Sequence, residues 1–149
     1  MSARDAAIAP LLFAYGTFLD PWWRPAILGE DYPVRRAVLP GWRRCALDNG
    51  YLTIAPCEGG VVNGLLVELD PIGWRVADAW EEVPKYVRTP VVARTAEGRV
   101  DALAYVAGDG LVAAPVPETW LALITAREVE SSIAIFARTM RRVRAGGGA

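Results

Sequence analysis

Asp78-Ala79-Trp80-Glu81-Glu82-Val83-Pro84-Lys85-Tyr86-Val87-Arg88 is the stretch where a helix hands over to a strand. Upstream, Asp70-Pro71 has the form of a helix start, an acidic N-cap followed by proline at the first helical position. Ile72, Val76, Ala77 and Trp80 then recur at helical spacing, which predicts a short amphipathic helix from Pro71 to about Trp80. Pro84 prevents its continuation. Glu81 and Glu82 sit at the C-terminal end, the wrong end of the helix dipole for an acid, at a cost of about a few tenths of a kcal/mol. Adjacent carboxylates raise each other's pKa, and burial beside Trp80 would raise one further. The residues alone leave two readings: an exposed acidic pair, or a carboxylate tuned for general acid–base work near neutral pH.

On both sides of this stretch the pattern is β. Tyr86–Thr95 and Arg99–Ala107 flank Ala96-Glu97-Gly98, a hairpin with a glycine-containing turn. Upstream, Val61–Leu69 alternates at Leu65, Val67 and Leu69 like a half-buried strand. Tyr51–Ala55 is another strand, closed by Pro56, with Glu58-Gly59-Gly60 read as a hairpin turn. Val34–Leu47 is β-leaning but interrupted by Pro40-Gly41, hence two short strands or a bent one, and Asp48-Asn49-Gly50 is a turn signal. Leu11–Tyr15 is an apolar run stopped by Gly16, the form of a buried strand feeding a tight turn. Consecutive N–H groups in the Tyr15-Gly16-Thr17-Phe18 turn could converge on an anion. Asp20-Pro21 repeats the helix-start signature, with Trp22, Trp23, Ala26 and Ile27 as the apolar side. The two tryptophans fit either an aromatic platform or packing of that helix.

After a Gly/Pro-rich loop over Gly108–Pro117, a long helix is expected over 118–143. Val129, Ile133, Phe136, Met140 and Val143 form its core-facing stripe. Arg138, Arg141, Arg142 and Arg144 read as a solvated helix end that complements the dipole, with a nucleic-acid or lipid patch as the other reading. No internal repeat or linker divides residues 1–149, so one domain is expected.

Composition removes whole classes of chemistry. The 149 residues contain no histidine, which rules out Ser-His-Asp triads, Cys-His dyads and His-ligated zinc. Cys45 and Cys57 are too few for an all-cysteine zinc site or a disulfide framework. A proton carrier is then most simply a carboxylate, ahead of tyrosine or the single lysine, Lys85. Sixteen basic and seventeen acidic groups give a net charge of −1, without the basic excess of a nucleic-acid binder. No run approaches the ~18–20 apolar residues of a membrane span, and the N-terminus lacks a signal-peptide pattern, so a cytoplasmic location is expected.

These pieces together resemble the γ-glutamylcyclotransferase-like family, which includes the plant avirulence-induced-gene-like proteins. Tyr15-Gly16-Thr17-Phe18 resembles its N-terminal Tyr-Gly-Thr/Ser-Leu signature. Pro40-Gly41-Trp42, Tyr51–Pro56, Glu58-Gly59-Gly60 and Val62-Asn63-Gly64-Leu65 with Val67-Glu68-Leu69-Asp70 follow in order. Asp78–Arg88 looks like the family's Asp-x-aromatic-Glu-Gly-x-Pro-x-Tyr-x-Arg block, and Tyr105-Val106 like its late aromatic-Tyr-Val strand. The resemblance covers about residues 11–107. It implies an α+β fold, a small closed mixed β-barrel flanked by helices, with the long C-terminal helix outside the likeness.

The implied reaction converts a small-molecule γ-glutamyl amide to 5-oxoproline with release of the amine, without cofactor or metal. Glu81 takes the position of the catalytic glutamate, as general acid and base. Tyr15, Gly16, Thr17 and Phe18 take the place of the loop whose N–H groups hold the glutamyl α-carboxylate, and Tyr105 that of a pocket-lining tyrosine. The implied partner is that substrate, with neither nucleic acid nor membrane, and a homodimer is compatible with the likeness. Two departures bear on the substrate: Glu82 stands where the family commonly has Gly, and Phe18 where Leu is usual. A non-catalytic member that binds a γ-glutamyl-like or carboxylate ligand is the alternative.

Overall fold

The computed structural model describes residues 11–47, 51–83, 85–108, 113–115 and 144. The expected helix over 118–143 and the turn at Asp48-Asn49-Gly50 lie outside them. Five strands close on themselves: β1 (Leu11–Ala14), β2 (Val34–Leu47), β3 (Leu52–Val67), β4 (Tyr86–Thr95) and β5 (Gly98–Ala107). The order runs β3-β1-β5-β4-β2, and β2 pairs back onto β3 to complete the barrel. Only the β1–β5 pair is parallel, so the barrel is mixed. Helix α1 (Trp23–Leu28) and helix α2 (Pro71–Trp80) flank it. Among the described residues no helix is long and apolar enough to cross a membrane.

The continuous apolar run at β1 follows from its position. It is paired on both edges, with Leu12 opposite Val67 on β3 and Leu103 on β5. Its side chains alternate between two cores: Phe13 and Tyr15 join Leu39, Ile54, Val62 and Ala104, while Leu12 and Ala14 join Leu28, Leu69, Val76 and Ala77 beneath the helices. A strand covered on both faces has no polar side to show.

Turn chemistry explains most of the remainder. Asp70 caps α2 by accepting from Gly73 N–H at 2.7 Å, as expected for an acidic N-cap before proline. Asp20 accepts from the Trp22 and Trp23 amides at 2.8 and 3.0 Å, so it starts the turn that becomes α1 even though the regular helix begins at Trp23. Trp23 packs against the helix-side core and Trp22 remains 65% exposed. The β4–β5 hairpin is as expected, with Thr95 opposite Gly98.

Three expectations are corrected and one alternative is decided. Glu58-Gly59-Gly60 is not a hairpin turn; β3 runs through it as one 16-residue strand. Opposite, β2 takes the single-strand alternative, continuous across Pro40-Gly41, and the pairing jumps from Pro40↔Val61 to Trp42↔Pro56. Gly41 and Gly59 both adopt positive φ (85° and 79°), so the glycines form a paired irregularity within a ladder instead of ending it. On α2, Ile72 is exposed, and Trp74 is buried in its place. Within the Gly/Pro-rich segment, a short strand β6 (Ala113–Pro115) adds to β2 beside Cys45–Leu47.

Gly64 marks the tightest seam of the barrel. A Cβ there would sit 2.3 Å from the Ala14 carbonyl oxygen and 2.7 Å from the Phe13 ring, an approach only glycine allows. Gly64→Ala is therefore expected to lower stability by about 1–3 kcal/mol, the usual range for overpacking. Chemical denaturation with an unchanged m-value would check it.

Candidate active site

The last turn of α2 decides where Glu81 stands. Glu82 N–H donates to the Ala79 carbonyl at 3.2 Å and Val83 N–H to the Asp78 carbonyl at 3.2 Å. This double bond pattern is a Schellman motif, in which the residue after the cap is left-handed. That residue is Glu82, with φ 54°, the one non-glycine residue at positive φ among those described. Glycine enters this region freely, and a side chain there costs about 1–2 kcal/mol. The motif leaves Glu81 as the C-cap, half-buried, and Glu82 exposed on the outside.

A single carboxylate fastens this turn to the barrel. Asp78 accepts from Arg88 Nε at 2.8 Å and Nη2 at 2.6 Å, and from the Tyr105 hydroxyl at 2.6 Å. The Arg88 guanidinium also lies 4.5 Å over the Trp74 ring. Strands β4 and β5 thus grip α2 one turn before Glu81. Arg88 is held even more firmly in its charged form by the Asp78 hydrogen bonds.

Enclosure by protein shifts the Glu81 carboxyl from 4.5 to about 8, through desolvation first and the neighbouring Glu82 charge second. Its charge in turn reaches two tyrosines. Burial above all, then Glu81, pushes the hydroxyls of Tyr15 and Tyr86 upward, so both stay neutral donors. Tyr86 donates to the Leu52 carbonyl at 2.9 Å, and Tyr15 donates to the Tyr105 carbonyl. Glu81 and Tyr15, far apart in sequence, are electrostatic neighbours at one end of the barrel.

The Tyr15–Phe18 turn lies beside the same helix end. Phe18 is buried, and its ring centroid is 6.4 Å from that of Trp80, the residue before Glu81. The chain continues as a short 3-10 turn, Thr17–Leu19, in which the Gly16 and Thr17 carbonyls accept from Leu19 and Asp20 N–H at 2.9 and 3.1 Å. The first N–H groups of such a turn have no partner within it. A Cβ built on Gly16 meets nothing within 4 Å, so the turn has an open side there.

Two buried arginines hold the other side, and nothing in the sequence pattern singles them out. Arg44, 2% exposed, donates through Nε to the Tyr15 carbonyl at 3.1 Å and through Nη2 to the Asn63 carbonyl at 2.6 Å. Arg24, 6% exposed, donates to the Phe18 carbonyl at 2.9 Å. The only available signal is that Arg44 leads into the apolar Cys45-Ala46-Leu47, where a surface arginine would be out of place. Tyr105 is 3% exposed with its hydroxyl engaged by Asp78, so it positions the helix end.

The matching family model, described as gamma-glutamyl cyclotransferase, AIG2-like, spans residues 12–123. The chain belongs to this family. Solved structures agree in fold. A protein of Arabidopsis thaliana determined in solution is 25% identical, with a TM-score of 0.61, over 87% of this chain and 92% of its own. A structure described as gamma-glutamyl cyclotransferase is 18% identical, with a TM-score of 0.62, over 89% of this chain and 86% of its own. A human protein described as uncharacterized is 20% identical, with a TM-score of 0.61, over the same shares. At 18% and 20% identity the likeness shows the fold. No curated protein matches this chain. The family's barrel with its two helices is therefore the fold observed.

Replacing Glu82 separates its two effects. Glu82→Gly is expected to raise stability by about 1 kcal/mol by relieving the left-handed side chain, and to lower the Glu81 pKa by removing a like charge. Thermal melting and carboxyl-carbon NMR titration read the two independently. A second outcome follows from linkage: a carboxyl raised from 4.5 to about 8 binds more protons folded than unfolded. Wild-type stability therefore falls relative to Glu81→Gln as pH rises through that window, then levels off above it. Paired denaturation curves between pH 4 and about 9 measure the difference.

Proposed function

We propose that this chain is a cyclotransferase acting on a small γ-glutamyl amide, with Glu81 as the proton carrier. One observation carries the reading: a desolvated carboxyl, raised to about 8, sits at a helix end against the Tyr15–Phe18 turn. Family membership supplies the reaction class.

The chemistry is intramolecular. A substrate α-ammonium gives a proton to the Glu81 carboxylate. The freed amine nitrogen attacks the γ-carbonyl carbon of the same glutamyl group and closes a five-membered ring. As the tetrahedral centre collapses, Glu81 gives its proton to the outgoing nitrogen, the bond to that nitrogen breaks, and the carboxylate takes the second proton of the ring nitrogen. This leaves 5-oxoproline, a free amine and a protonated Glu81 that passes its proton to the departing amine or to solvent. A carboxyl that titrates near the working pH serves both directions of this transfer. No enzyme nucleophile is required, which suits a chain without histidine.

In this reading the open side of Gly16 admits the glutamyl α-carboxylate to the N–H groups of Thr17 and Phe18. Arg44 and Arg24, by gripping the Tyr15 and Phe18 carbonyls, keep those N–H groups turned outward. Holding the glutamyl chain folded supplies the orientation that ring closure needs.

The test is a panel of γ-glutamyl amides with mass-spectrometric detection of 5-oxoproline. Glu81→Gln is expected to reduce turnover about 10²–10⁴-fold, the usual worth of a positioned acid–base group. Equal release by both proteins would remove Glu81 as the base. Because the base form is required first, wild-type kcat/KM should climb as pH passes through about 8.

A further inference from the structure

A groove of about 790 Å³ runs where the 3-10 turn, β2, β3 and β4 meet, with Leu19, Arg36, Arg44, Asn63, Arg94 and Thr95 along its walls. Among the described residues, three guanidinium groups line it and no carboxylate does. Arg36 and Arg94 are exposed, and among the described residues neither forms an ion pair. At the rim, the hairpin acid Glu97 is already partnered: it pairs with Arg35 at 3.9 Å and accepts from Thr95 Oγ1 at 3.0 Å. Arg44 forms the inner wall, fixed by its bonds to the Tyr15 and Asn63 carbonyls, so it contributes charge more than a movable donor.

Guanidinium groups sharing one concave surface repel each other and focus a positive potential into it. The planar, multi-donor geometry of arginine matches carboxylate and phosphate oxygens, and two arginines from different strands can grip such a group from two sides. The side-chain amide of Asn63 adds a neutral donor at the same level. We propose that this groove is a binding site for an anionic group, a carboxylate or phosphate, held by Arg36 on β2 and Arg94 on β4. The site stands on the groove's own residues and does not depend on the cyclisation reading. Two sources share that chemistry: an acidic amine portion of the substrate, reaching past Leu19, or a separate small anion.

The test uses the full chain with inorganic phosphate and with succinate, following the amide resonances of Leu19, Asn63 and Thr95. Saturable shifts are expected in the wild type and in Glu81→Gln. The Arg36→Gln/Arg94→Gln double variant, whose altered side chains are exposed, should keep its thermal midpoint and bind at least about tenfold more weakly, the loss expected for charge-assisted hydrogen bonds. Absence of saturable binding, or binding unchanged in the double variant, overturns the proposal. Turnover then separates the sources: a KM raised in the double variant for γ-glutamyl-glutamate but not for the γ-glutamyl derivative of a neutral amine places the acidic amine portion in the groove. Anion binding without any KM change assigns the groove to a separate anion. Loss of all turnover in Glu81→Gln with phosphate binding intact shows the two sites to be distinct.

Discussion

The barrel end that carries Glu81 depends on a second carboxylate. Asp78 takes a two-point grip from Arg88 and a third hydrogen bond from Tyr105, while its backbone carbonyl closes the Schellman turn through Val83 N–H. One residue therefore joins α2 to two strands and shapes the helix end that presents Glu81. Tyr105 extends the chain of dependence, because its own carbonyl accepts the Tyr15 hydroxyl beside the opposite wall of the site. Position, charge and burial of Glu81 all follow from this small hydrogen-bonded frame.

Much of the scaffold was legible because local chemistry and the fold agree. The proline-led helix start at Asp70, the two-sided burial of Leu11–Tyr15 and the β4–β5 hairpin are each strong local signals that tertiary structure respects. Glu58-Gly59-Gly60 reads as a turn because glycine turns and glycine bulges use the same backbone freedom; only the partner strand, whose register shifts at Gly41, distinguishes them. Ile72 and Trp74 exchange roles because the buried arc runs through Gly73, Trp74, Val76 and Ala77, and Gly73, packed against Tyr32 and Leu69, has no apolar side chain to mark it.

The candidate site was legible only through the order of its motifs. Glu81 and the Tyr15–Phe18 turn were named, but no pattern within one strand could show that Arg44 and Arg24 lie beneath the turn, since arginine is ordinarily a surface residue. Tyr105 is picked out by its likeness to the family's late aromatic-Tyr-Val strand, but its hydrogen bond to Asp78 is a matter of rotamer and has no signal in sequence position. Glu82 carries a double burden, a left-handed backbone and a like charge beside the base. The charge raises the proton affinity of Glu81, so the strained residue contributes to tuning the site.

The parallel pairing of β1 with β5 has a consequence for how the molecule comes into being. Leu11 and Leu12 wait for Ala102 and Leu103, and the Tyr15 hydroxyl finds its acceptor 90 residues later. Contacts of such sequence separation slow folding, because the loop between them must be ordered before they form. During synthesis the first strand therefore remains unpaired on that edge until nearly the whole barrel has left the ribosome. The end of the molecule that holds Glu81 and Tyr15 is assembled last, from the first strand and the fifth at once.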